Sequence, residues 1–326
     1  MKSNSLLLFG GTGFIGQSIL KYFLKNTYLK KKINKIIIIS RYQSKIDKFY
    51  KKLKKSYDVI KINSDISKLK KLPYADHVIY AAILKNYKKD HIAFSNYLNL
   101  AKKYHLKSKI LYLSSGAVYG VQKKTTGFKE DYLKYNKKIS FNKKLKYKQY
   151  KQYKQEYSDI KLKNENLLQE FGKKYRVKVS IARCFSFSGE HLPLNSQYAL
   201  GNFIKNILNN EDIRVKSNYK VIRSYMHSDD LAKWLLKIMN NSTNDCPIYN
   251  VGSNDYISIH KLAGVLAKKY NLSVDFKDKI LKKNIDIYVP NIQKAKKELN
   301  LTNNFNSLDA VFATINILKK KYEKTN

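Results

Sequence analysis

The stretch Leu6-Leu7-Leu8-Phe9-Gly10-Gly11-Thr12-Gly13-Phe14-Ile15-Gly16 constrains the fold more than any other part of this 326-residue chain. The apolar run over 5–9 reads as a buried strand, and the pattern through Leu24 reads as a helix. The glycines therefore fall at a strand-to-helix turn. Gly10, Gly13 and Gly16 permit a tight turn, a close approach by a pyrophosphate and close packing of the helix. The free N–H groups of the turn then receive the phosphate. Thr12, Phe14 and Ile15 complete this candidate dinucleotide turn, whose spacing is GxxGxxG rather than GxGxxG.

Further apolar runs lie at 36–39, 59–62, 78–82, 109–113 and 177–182, separated by helix-length segments. Repeated β-α units predict an α/β fold with a Rossmann-type parallel sheet. After residue 184 the rhythm weakens. Helices are expected over 198–209, over 229–239 with Asp229 and Asp230 at its positive end, and over 258–270 with Ser258 as N-cap. The expected organisation is an NAD(P)-binding domain over 1–183. Residues 184–326 form mainly a smaller substrate-binding lobe, with segments returning to the first domain. Residues 134–156 hold nine lysines and one acid, Glu156, and read as a solvated insertion or a lysine-decorated helix extension.

The formal charge of +41 raises the question of a nucleic-acid partner. A phosphate-binding surface should cluster its cations, with arginines and exposed aromatics among them. Here lysine is spread along most of the chain and arginine is scarce, so residue usage accounts for the charge and no specific nucleic-acid partner is expected. The first apolar run is too short for a membrane span and is broken by glycines, which favours a strand over a signal peptide and argues against membrane insertion. Cys184 and Cys246 make no disulfide framework and lack the neighbours of a zinc site. No metal is expected, and a reducing cytoplasm is the expected setting.

The second strand ends at Ser40-Arg41 where an NAD ribose would call for an acid. Arg41 offers a cation to a 2′-phosphate and Ser40 a small hydroxyl, favouring NADP(H), with NAD(H) as the alternative. Asp65, followed by Ile66, stands after the third strand, where an acid can accept from an adenine amino group. Ala81 and Ala82 offer a small surface beside a nucleotide. Ser115 lies at a strand end, where open α/β sheets place their chemistry. Tyr157 and Lys161 are four residues apart on an expected helix, which puts the phenol and the ammonium on one face. The ammonium favours the phenolate, suiting Tyr157 to carry a proton while Lys161 also holds the nicotinamide ribose.

With these blocks in order, the chain resembles the extended short-chain dehydrogenase/reductase family, in its nucleotide-sugar epimerase/dehydratase branch. The resemblance rests on GGTGFIG at 10–16, SSGAVYG at 114–120, YSDIKLKNE at 157–165, RCFSFSG at 183–189, RSYMHSDDLA at 223–232 and YNVGS at 249–253. It implies Ser115, Tyr157 and Lys161 as the catalytic trio, and a nucleotide-diphosphate sugar as substrate. It further implies Arg223 at the diphosphate, Asn202 on a helix lining the nucleotide pocket, and a homodimer. The family's substrate-contacting Asn after the sixth strand is Ser186 here.

The 4,6-dehydratases of this branch place an Asp-Glu pair after the catalytic hydroxyl, whereas this chain has Gly116 and Ala117, which exchange no protons. Dehydration is therefore not expected. Two reactions remain. One is NADPH-dependent 4-ketoreduction of a 4-keto-6-deoxy sugar nucleotide, favoured by Arg41; the other is NAD-dependent 4-epimerisation. A non-catalytic or nucleic-acid-binding protein is a distant alternative, since the Ser-Tyr-Lys set is intact.

Overall fold

A computed structural model describes residues 4–42, 46–84, 86–135, 148–195, 198–276 and 281–323. In chain order the first elements are β1 (Ser5–Phe9), α1 (Phe14–Lys25), β2 (Lys35–Ser40), α2 (Asp47–Leu53), β3 (Asp58–Asn63), β4 (His77–Tyr80), α3 (Tyr87–Tyr104) and β5 (Lys109–Ser115). Next come α4 (Tyr132–Tyr135), α5 (Lys148–Tyr175), β6 (Lys178–Cys184), β7 (Phe187–Ser188), α6 (Ala199–Leu208), β8 (Ile213–Val215), β9 (Tyr219–Arg223) and β10 (Met226–His227). The chain continues through α7 (Ser228–Asn240), β11 (Ile248–Val251), β12 (Ile257–Ser258), α8 (Ile259–Tyr270), β13 (Val274–Phe276), β14 (Leu281–Tyr288), α9 (Gln293–Leu299) and α10 (Ser307–Tyr322).

The seven-stranded sheet has the order β11-β6-β5-β4-β1-β2-β3. Pairings from β3 across to β6 are parallel. This is the Rossmann order, in which the direction of winding reverses between β1 and β4. The strands read as unbroken apolar runs because helices cover both faces of such a sheet. Leu6, Leu7, Leu8 and Phe9 accordingly have no solvent exposure, and neither do Ile36, Ile38 and Ile39. One face carries an aromatic cluster in which Phe9, Tyr80 and Tyr112 from three strands meet Phe94 and Tyr97 of α3. Among the described residues, no helix is long and apolar enough to cross a membrane.

Two compact units emerge. The first comprises Met1–Gly120, Asn136–Cys184 and Ala232–Tyr249; the second comprises Val121–Tyr135, Phe185–Leu231 and Asn250–Asn326. The second unit is built around a core from α6, β8, β9, α8 and α10, including Phe203, Ile213, Val221, Leu262 and Val311. Its sheets are short: β12-β9-β14, β13-β8 and β10-β7. Val121–Tyr135 groups with this unit through hydrogen bonds that short-range pattern does not display. Asn250 donates to the Phe128 carbonyl and, through its N–H, to Glu130, while Gln122 accepts from the Val289 N–H.

The expected helices are present as α6, α7 and α8, and the Ser258 hydroxyl caps α8 by accepting from the Lys261 N–H. Asp230 lies in the first turn of α7, and its carboxylate accepts from the N–H groups of Asn304 and Phe305. Of the lysine-rich stretch 134–156, residues from Lys148 onward extend α5 as helix, whereas 136–147 lie outside the described residues.

Candidate active site

All the following groups up to Lys161 belong to the first unit, at the C-terminal ends of its strands. Gly10 follows β1 with φ +78°, and a Cβ there would lie 2.8 Å from Ala81 O and Ala82 Cα. Ala81 and Ala82 thus stand just beyond β4 and pack against the turn. A Cβ at Gly16 would fall 2.5 Å from Gly11 Cα and against Gly10 O, so this glycine sets how closely α1 approaches β1. Gly13 differs: it is exposed, and an added Cβ would meet only Gly10 O, at 3.4 Å. The protein's own packing does not require a glycine there, whereas a pyrophosphate approaching the backbone does. As N-cap of α1, Gly13 supplies no side chain to the helix, and the first turn holds no acid. A positive helix end with neither cap nor acid suits a phosphate. Thr12, Phe14 and Ile15 are half-buried around it, and Gln17 donates to the Thr12 carbonyl at 3.0 Å.

At the end of β2 the Ser40 hydroxyl accepts from the Thr12 N–H at 3.4 Å, tying the two strand ends together. Arg41 is exposed, with its guanidinium carbon 5.6 Å from the Tyr42 ring centre. Asp65 accepts from the Ser67 N–H and hydroxyl at 2.9 and 2.7 Å. The Ser67 hydroxyl is the main reason its carboxyl is held below the usual range; the Ser67 N–H, Arg41 and Lys68 add to this against the opposing effect of burial. Ile66 is buried beside it. These residues fit a dinucleotide laid across the β1–β4 reversal.

Ser115 ends β5 and its hydroxyl accepts from the Ala117 N–H at 3.2 Å, capping a turn over Gly116–Tyr119. Gly116 and Ala117 are part of that turn and present only backbone and a methyl group. The Ser158 hydroxyl donates to the Ala117 carbonyl at 2.9 Å, which fixes α5 against the turn that carries Ser115. Tyr157, the preceding residue, is half-buried with its ring 5.4 Å from that of Tyr87. One helical turn later Lys161 is buried, its Nζ 5.9 Å from the Tyr157 ring centre, 5.0 Å from that of Tyr112, and donating to the Leu113 carbonyl at 3.1 Å. Burial opposes its charge, yet Tyr112, Tyr157 and Asp90 together hold the ammonium above the ordinary lysine range. The site therefore places a permanent cation beneath a phenol at a strand end.

A buried ion pair underlies the trio, and motif reading assigned it no role. Arg183 on β6 donates to Glu165 on α5 from Nε and Nη2, with the shortest contact 2.7 Å, and to the Tyr119 hydroxyl at 2.8 Å. Ser114 donates its hydroxyl to the same carboxylate. Burial disfavours the guanidinium charge, but Glu165 and then Tyr119 more than offset it and push the Arg183 pKa upward. Its sequence signal is Glu165 eight residues after Tyr157, two helical turns along and near the same face.

In the second unit, Ser186 is half-buried between β6 and β7, and its carbonyl accepts from the Met226 N–H at 3.1 Å. Asn202 is half-buried on α6. Arg223, ending β9, donates to the Asp286 carboxylate at 2.8 Å and to the carbonyls of Ile222 and Asp286. Its guanidinium is thus already oriented by an acid 63 residues away.

Comparisons with known proteins agree with this architecture. A model of the NAD dependent epimerase/dehydratase family matches residues 6–252. The chain is 27% identical over 277 residues to dTDP-D-glucose 4,6-dehydratase of Dictyostelium discoideum, a match covering 78% of this chain and 59% of that protein. The chain is thus matched to under two-thirds of that relative's length. Among solved structures, it resembles dTDP-glucose 4,6-dehydratase of Bacillus anthracis in complex with NAD (TM-score 0.76, 17% identity, 98% of each chain). It also resembles UDP-glucuronic acid 4-epimerase of Bacillus cereus in complex with UDP-glucuronic acid and NAD (TM-score 0.76, 19% identity, 98% of this chain and 100% of that one). The family match covers the glycine turn, the Ser115 turn and the Tyr157–Lys161 helix alike: the chain belongs to the NAD dependent epimerase/dehydratase family.

Proposed function

We propose that the protein is a nucleotide-sugar oxidoreductase acting at C4 of the sugar, and specifically an NADPH-dependent 4-ketoreductase of a 4-keto-6-deoxy sugar nucleotide. The observation that carries the C4 assignment is the turn after Ser115: Gly116 and Ala117 contribute no proton-exchanging side chain, while Lys161 lies buried beneath Tyr157. Gly10, Gly13, Gly16, Asp65, Ala81 and Ala82 would hold the dinucleotide, with Arg41 at its 2′-phosphate and Lys161 at its nicotinamide ribose. When bound, the nicotinamide supplies or accepts the hydride at C4. Tyr157 gives the proton to the C4 oxygen, or takes it in the reverse direction, and Lys161 favours the phenolate that results. Ser115 donates a hydrogen bond to the same oxygen. Arg223, set by Asp286, meets the diphosphate, and Ser186 and Asn202 contact the rest of the substrate.

The same residues serve NAD-dependent 4-epimerisation. The Ser40 hydroxyl accepts from the Thr12 N–H, a contact that does not separate the two readings, so the preference for a 2′-phosphate rests on Arg41. Two assays separate the reactions: oxidation of NADPH with a 4-keto-6-deoxy sugar nucleotide, and interconversion of C4 epimers with no net change in nicotinamide. In whichever assay is positive, Tyr157→Phe should lower kcat about 10²–10⁴-fold while cofactor binding persists. Turnover near wild type would refute the proton role of Tyr157. Absence of both activities with a range of sugar nucleotides would refute the C4 assignment.

A further inference from the structure

Ser114 and Arg183 stand opposite one another in the parallel pairing of β5 with β6, so their side chains leave the same face of the sheet. Both reach Glu165 on α5. The guanidinium extends further: Nη1 donates to the Tyr119 hydroxyl at 2.8 Å, and Cζ lies 4.8 Å from the centre of that ring. Ser114, Tyr119, Glu165 and Arg183 are each 3% exposed or less. Ser114 precedes Ser115, and Tyr119 is the last residue of the turn that Ser115 caps. One buried ion pair therefore grips the Ser115 turn at both ends, with the acid supplied by a helix and the base by a neighbouring strand. Stability alone does not call for such a pair, because apolar residues of similar volume often serve the fold as well. What apolar residues do not supply is direction: the fixed fork of a guanidinium addresses a carboxylate and a hydroxyl at once.

We infer that Glu165, Arg183 and Tyr119 are positioning residues that hold the Ser115 turn in the geometry its hydroxyl needs to meet the C4 oxygen. This rests on the role proposed above for Ser115. The three act on the turn and not on the reacting atoms. The link is short: the Ala117 N–H that fixes the Ser115 hydroxyl, at 3.2 Å, lies between the two gripped ends. Displacing either end moves that N–H, and the hydroxyl with it.

Tyr119→Phe is the mildest cut, since it removes the hydroxyl that Arg183 holds and keeps the ring. The first measurement needs no turnover: amide hydrogen exchange across 115–120 in the full chain. The Ala117 and Gly120 N–H groups, bonded to Ser115 Oγ and the Ala117 carbonyl, report the turn. Their exchange should quicken about tenfold or more, as expected for a lost hydrogen bond to a charged group, while β1 and α1 stay as protected as before. Unchanged exchange at the turn would overturn the inference, and so would equal quickening in β1. The second measurement is a kinetic cycle with Ser115→Ala. Tyr119→Phe should lower kcat about tenfold without changing dinucleotide affinity, and should cost little more once Ser115 is alanine. A full loss in both backgrounds would overturn the action through Ser115. The ion pair itself is tested by Glu165→Gln, Arg183→Met and the two together. Each single variant strands an ion and should lower the melting temperature; the double variant should regain part of that loss but little kcat. Recovery of kcat alongside stability would overturn the positioning role. Where a single variant folds poorly, the double variant and Tyr119→Phe still decide. Faster exchange at the turn with no turnover of any sugar nucleotide would support the grip on the turn and refute the proposed reaction, so the two failures are distinguishable.

Discussion

At the scale of single residues, the proposed preference for NADPH turns on Arg41. It is exposed, it directly follows β2 at the position where NAD-binding sites of this fold carry an acid, and a 2′-phosphate would give it a partner of opposite charge. A hydrogen bond between charged partners contributes about 1.5–3 kcal/mol. Arg41→Ala should therefore weaken NADPH binding roughly 10- to 100-fold and leave NADH nearly unchanged, as read by fluorescence titration of each nucleotide. Equal losses would remove Arg41 from the 2′-phosphate site and strengthen the epimerase reading. Arg41 was legible because it directly follows a conspicuous strand. Asp90 was not, because a first-turn acid in sequence looks like an ordinary solvated one, and only the fold turns it inward. The Arg223–Asp286 pair was hidden for a different reason: its partners are 63 residues apart, and no local pattern announces their meeting.

The glycine turn shows how one short element separates folding from binding. An added Cβ at Gly16 would strike the backbone of Gly10 and Gly11, whereas one at Gly13 would make only an ordinary contact. Overpacking of this kind costs about 1–3 kcal/mol. Gly16→Ala should lower the denaturation midpoint and weaken dinucleotide binding together. Gly13→Ala should leave the midpoint nearly unchanged and still weaken binding, because the methyl occupies the path of the pyrophosphate. Parallel effects from the two substitutions would mean that Gly13 also serves the protein's own packing. Six of the seven strands of the main sheet were readable from their apolar runs; β11 (Ile248–Val251), at one edge of the sheet, was not among those runs. The run at 78–82 overshot β4, which ends at Tyr80. Ala81 and Ala82 are apolar because they pack against Gly10, and so they carry the strand's composition beyond its hydrogen bonding.

At the scale of the whole molecule, lysines of described burial other than Lys161 are exposed or half-exposed, and buried histidines are a separate source of pH dependence in stability. His105 has no exposed surface; its Nε2 donates to the Pro73 carbonyl at 2.9 Å, which leaves Nδ1 as the unprotonated nitrogen. Burial depresses the pKa of His105, and that of His77, where Lys109 adds to the effect. Below the unfolded value of about 6.5 the unfolded chain therefore binds more protons than the folded one. Stability from these groups is complete above that pH and is lost as pH falls toward the depressed folded values. The melting temperature should decline from pH 7 to pH 5, and His105→Gln should flatten the decline while retaining a donor for Pro73. An equally steep decline in the variant would exclude His105 as a source. The grouping of Val121–Tyr135 with the second unit is also a property of the whole molecule, since Asn250, Glu130, Gln122 and Val289 create it across more than a hundred residues.

The buried Arg183–Glu165 pair has a temporal consequence. Ser114, just before the Ser115 turn, and Tyr119, at its end, receive their partners from residues made some fifty to sixty positions later. While a ribosome is still synthesising β6, Glu165 has no guanidinium to answer it, and sealing that carboxylate into the sheet would be costly. The region around Ser115 should therefore resist proteolysis only in nascent chains long enough to include Arg183.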